Sequence, residues 1–129
     1  MLNGYNIINM KMKNFFIILI LSIFLVGCST IKKDLANVKE CNEDNSYFIK
    51  SRECLKQKIN SSSISDDDLK DILFIYIESL NRSINSKLIS DENGWKYFND
   101  YYEMALKSKS DDENYVVYVE INNAIQRLK

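Results

Sequence analysis

The stretch "SDDDLKDILFIYIESLNRSINSKLIS", Ser65 to Ser90, decides the fold. Within it Leu69, Ile72, Leu73, Tyr76, Leu80, Ile84 and Leu88 recur at three- and four-residue spacing, the period of one helix face. Phe74, Ile75 and Ile77 widen that stripe, so the spacing predicts a central helix buried on most sides. A serine followed by three acids opens it. The Ser65 hydroxyl can accept from an orphan backbone N–H, and the acids complement the positive end of a helix.

The same punctuation returns downstream. "SDEN" at Ser90 precedes Trp95, Phe98, Tyr102, Ala105 and Leu106, and "SDDE" at Ser110 precedes Val117, Ile121, Ala124, Ile125 and Leu128. Ser110 with Glu113 has the spacing of a capping box. The run "YVVYV", Tyr115 to Val119, has strand propensity, but the cap before it and the helical contacts after it outweigh that preference. These acid runs lack the alternating ligands and the glycine turn of a calcium loop, so capping is the expected role.

Upstream, "SYFIKSRECLKQKIN" places Phe48, Leu55 and Ile59 on one face, with Tyr47 and Cys54 beside them, and predicts a helix from about Ser46 to Asn60. Residues 28–40 read as a tether or as a short first helix carrying Ile31, Leu35 and Val38. The expected fold is all-α: a small antiparallel bundle of four to five helices, with residues 41–129 as its domain. The chain of 129 residues has no proline and only Gly4, Gly27 and Gly94 as glycines, which leaves few makers of tight β-turns.

The first 27 residues form a different segment. "FFIILILSIFLV", Phe15 to Val26, is apolar but for Ser22, follows Lys11 and Lys13, and ends at Gly27 and Cys28. It is short of the roughly 20 residues that a membrane-spanning helix needs, and has the order of a secretory signal peptide. Leu25, Val26, Gly27 and Cys28 resemble the lipobox of bacterial lipoproteins. The resemblance implies cleavage before Cys28 by signal peptidase II and diacylation of its thiol, with palmitate-type chains holding the protein in a membrane. It also implies that Ser29, where an aspartate would retain the protein in the inner membrane, favours the outer membrane. The first nine residues carry no charge, so a start at Met10 or Met12 is expected. Residues 28–129 would carry 15 basic and 18 acidic side chains, a net charge of −3, which gives no support for a nucleic-acid partner.

Cys41 and Cys54 then remain as an even pair in an exported domain, and a disulfide between them is expected, with buried or free thiols as the alternative. If Cys54 lies well inside a helix starting near Ser46, the segment from Cys41 to Asn45 must run back along that helix. Two cysteines without histidine are too few soft ligands for zinc.

Candidate chemistry is sparse. The chain has no histidine, no glycine-rich phosphate loop and no nucleophile elbow, so neither an enzyme activity nor a cofactor or metal is expected. Tyrosines exceed what a core requires, and Trp95, Tyr97, Tyr101, Tyr115 and Tyr118 are candidates for an interaction surface. The expected function is a lipid-anchored envelope protein that binds another protein, such as an inhibitor or immunity-type module occluding a toxin or cell-wall hydrolase. The alternative is a structural or assembly lipoprotein of an envelope or secretion complex. Carriage of a small ligand would require an apolar cavity inside the bundle.

Overall fold

The helix predicted over residues 65–90 is the axis around which the other elements pack. The computed structural model describes residues 29–43 and 47–129. Over these the chain forms α1 (residues 29–43), a 3-10 turn (Phe48–Ser51), α2 (Arg52–Asn60), α3 (Asp67–Asn85), α4 (Asp91–Lys107) and α5 (Asp111–Arg127). The fold is a small all-α bundle, with no strand among the described residues. The short connections reverse the chain at each step, so α1, α3 and α5 all start at one end. Long-range hydrogen bonds fix both ends. At the starting end the Asn114 side-chain amide donates to Asp66 Oδ2 at 3.2 Å; at the other, Ser83 Oγ donates to the Leu128 carbonyl at 3.4 Å.

Local chemistry explains where the helices begin and stop. Ser90 caps α4 by accepting from the Asn93 N–H at 3.1 Å, and Ser110 caps α5 by accepting from Glu113 N–H at 3.2 Å. Glu113 closes its half of the box on the Lys109 N–H at 2.6 Å, one residue before the cap. The expected cap at Ser65 is corrected: Asp66 caps α3, accepting from the Leu69 N–H at 2.9 Å, while Ser65 stays exposed. The second Asp66 oxygen holds Asn114, so the aspartate joins α3 to α5 where a serine hydroxyl would have served α3 alone.

The far end of α3 also departs from the expectation. Lys87 adopts a positive φ of 60°, its N–H donates to the Ile84 carbonyl at 3.0 Å, and the Leu88 N–H donates to the Ser83 carbonyl at 2.9 Å. This is a Schellman closure built on a lysine instead of the usual glycine. It turns the chain before Leu88, which is 67% exposed and does not continue the buried stripe. Ile75 also lies outside the stripe, exposed.

The predicted single helix over residues 46–60 is two elements. The Phe48 N–H donates to Asp91 Oδ1 at 2.7 Å, and the Ser51 hydroxyl donates to the carbonyls of Tyr47 and Cys41. These contacts tighten the entry into a 3-10 turn and drive the Phe48 ring into the core. There it meets Trp95 edge-on at 5.1 Å between centroids, and Phe98, itself stacked on Tyr102, at 6.1 Å. Gly94 admits this close approach of α4, since a Cβ there would stand 2.7 Å from Ile84 Cδ1 and 3.5 Å from Phe48 Cγ.

Residues 29–43 are a helix that belongs to the packed core through Val38 and Cys41, with Ile31 and Leu35 against it. Cys41 and Cys54 Sγ atoms lie at bonding distance, 2.01 Å, with Cα atoms 5.7 Å apart. Of the segment expected to run back along α2, the described residues 41–43 are helical and not extended, and it is α1 that runs antiparallel to α2, with Cys41, Glu40 and Asp34 meeting Cys54, Lys58 and Ser63 in turn. Lys58 pairs with Glu40, and buried Asp34 accepts from the Ser63 N–H at 2.9 Å and hydroxyl at 2.6 Å.

Candidate functional site

Helices α4 and α5 each pack on α3 more closely than on one another, and a groove opens along their outer seam. Its floor comes from a second stripe of α4, Tyr97, Tyr101 and Met104, spaced i, i+4, i+7 beside the core stripe of Phe98, Tyr102 and Ala105. On α5 the facing residues are Glu120, Ala124 and Arg127. This section encloses about 490 Å³. Met104 also lines a second, shallower cleft of about 420 Å³ with Val116 and Val117, so the two clefts meet at this side chain.

Polar groups stand at fixed points on this apolar floor. The Arg127 guanidinium donates to the Tyr101 hydroxyl at 3.2 Å, and the Tyr101 ring sits edge-on against Tyr76 at 5.2 Å between centroids. Burial pushes the Tyr76 phenol well above its usual range, reinforced by neighbouring Tyr101 and Tyr97, so it remains a neutral hydroxyl at the base of the groove. Lys96 donates to Asp100 at 3.0 Å, and that bond raises its pKa. Phenols, a guanidinium, a thioether and methyl groups together suit recognition of a side-chain surface, with aromatic and arginine anchors around an apolar centre.

The five aromatic residues expected at a surface do not form one. Trp95 is corrected to a core residue: it is 7% exposed, lies on the same face as Phe98 and Tyr102, and is held there by Phe48. Its ring N–H has no acceptor among the described residues. Tyr97 and Tyr101 lie half-buried in the groove. Tyr115, 70% exposed, and Tyr118 stand apart in a separate cleft of about 370 Å³ with Asp66, Asp68 and Asp111. Sequence reasoning missed Met104, Val116 and Arg127. The spacing of Tyr97, Tyr101 and Met104 was the available signal for the α4 side.

Leu25, Val26, Gly27 and Cys28 lie outside the described residues; Ser29 is the first described residue and is exposed. Among the described residues no helix is long and apolar enough to cross a membrane, and no group of three or more His, Cys, Asp or Glu side chains is placed to hold a metal ion. Comparison of the chain with protein-family models, with curated proteins and with solved structures gives no match.

Proposed function

We propose that this chain is a lipid-anchored envelope protein that acts by binding another protein along the α4–α5 groove. The observation that carries the reading is the pair of clefts that meet at Met104, with tyrosine and arginine anchors in one and valine methyls in the other. The size and form of the domain suit an inhibitor or immunity-type module, whose work is to occupy and cover a partner's surface. The reading assigns no catalysis, cofactor or nucleic acid to the chain.

The anchor rests on the lipobox at Leu25 to Cys28, with Ser29 favouring the outer membrane. Fatty-acid labelling of the expressed chain should vanish in Cys28→Ala; persistence of the label would refute the anchor. For the binding site, native membranes solubilised in mild detergent should yield a protein partner with the wild-type chain. Met104→Glu, which puts a charge on an exposed groove position, should lose it, while Ile75→Glu on the outer face of α3 retains it. Equal recovery with both variants would refute the groove as the site.

A further inference from the structure

The end of the bundle where α1 starts carries a consequence for how the domain meets a membrane, and it rests on the proposal that Cys28 is acylated. Cys28 immediately precedes the first described residue of α1, and adjacent Cα atoms are about 3.8 Å apart. That start is tied into the bundle. Ile31 packs against the core, and Asp34, 5% exposed, holds the α2–α3 loop through both its bonds to Ser63. No length of free tether separates the acylation position from the packed domain.

Whatever surrounds residue 29 must then lie close to the lipid headgroups. Thr30 and Ile31 share a cleft of about 380 Å³ with the loop Ser63 to Asp66 and with Ser108, Lys109 and Ser110, the turn between α4 and α5. This end exposes serines together with charges of both signs, Lys32, Lys33 and Lys109 against Asp67, Asp68, Asp111, Asp112 and Glu113, an excess of acid that leaves the lipid on Cys28, and not charge, to hold it at the headgroup layer. The opposite end, with Lys87 and the cysteine pair, is one helix length away, about 28 Å for the 19 residues of α3.

The geometry points to a membrane-facing end: the α2–α3 and α4–α5 loops rest on the phospholipid headgroup layer that holds the anchor, and the helices stand upright from it. The α4–α5 groove is thereby presented sideways, running away from the bilayer, open to a partner that reaches along the membrane surface.

The test uses the full chain, processed by its own signal and reconstituted in phosphatidylcholine–phosphatidylglycerol vesicles that contain a headgroup-quencher lipid. A dye is placed at Ser65→Cys, Lys109→Cys or Ser86→Cys, all exposed positions. Dyes at Ser65 and Lys109 should lose most of their emission and the dye at Ser86 should keep it. Inserting a flexible 12-residue Gly-Ser linker, about 20 Å in r.m.s. reach, after Ser29 should abolish the difference. Equal quenching at all three positions without the linker would overturn the inference while leaving the anchor intact. Intact mass separates the two failures: a chain without lipid on Cys28 removes the anchoring proposal and this inference with it.

Discussion

Replacing both Cys41 and Cys54 by alanine opens a closure of 13 residues that joins the end of α1 to the first turn of α2. On the chain-entropy account a loop of this length contributes about 3 kcal/mol by restricting the unfolded chain. Cys41 is fully buried, so its lost sulfur adds a small packing cost, on the order of 1 kcal/mol. The other ties of α1 do not compensate. Glu40 and Lys58 form a surface pair with the Glu40 side chain 58% exposed, a class worth about 0 to 1 kcal/mol, and the Asp34 bonds lie at the opposite end of the helix. Urea unfolding followed by the fluorescence of the buried Trp95 should show a loss of about 3 to 4 kcal/mol. Hydrogen exchange should show α1 amides losing protection before those of α3. An unchanged midpoint, with α1 as protected as in the wild type, would refute the reasoning that this bridge holds α1 to the bundle.

Three further outcomes follow from particular residues. Lys87→Gly should stabilise the domain by about 1 kcal/mol in thermal unfolding, because Lys87 holds a φ of 60° where a Cβ is costly; a loss of stability would mean that the lysine side chain earns its place there. Asp66→Ala should cost about 1 to 2 kcal/mol in urea unfolding and Ser65→Ala less than about 0.5, the reverse order pointing back to a serine cap. Burial, aided by Tyr101 for one and Asp34 for the other, raises the Tyr76 and Tyr102 pKa values above the ordinary value of 10.0. The folded state therefore holds these protons more tightly than the unfolded chain, so their contribution is complete below pH 10.0 and falls as pH rises past it. Ultraviolet titration should show two phenols ionising only together with unfolding; ionisation of all phenols in the folded state would contradict their burial.

Much of the helical framework was readable because it is written in local terms: a 3.6-residue stripe and a serine or acid before it. What was misread turned on contacts between distant residues. Ser65 and Asp66 are both good caps, and the choice between them is made by Asn114, 48 residues away. The first turn of the helix expected over residues 46–60 is 3-10, and its ends are held from afar: the Phe48 N–H, an orphan donor in any helix start, is taken by Asp91, 43 residues away, and the Ser51 hydroxyl reaches the Cys41 carbonyl. Trp95 fits either the core stripe or an aromatic surface by spacing alone, and Phe48 decides for the core. The groove was half legible. Tyr97, Tyr101 and Met104 mark the α4 side, but that Val116 and Arg127 face them depends on how α5 seats on α3.

The most direct test of the whole account is photocrosslinking in the native membrane, with a photoreactive residue at Met104 in the groove or at Ile75 on the outer face of α3. The account predicts one defined protein adduct from position 104, lost when Cys28→Ala removes the anchor, and none from position 75. Adducts of equal yield from both positions, or none from position 104 in acylated protein, would contradict it.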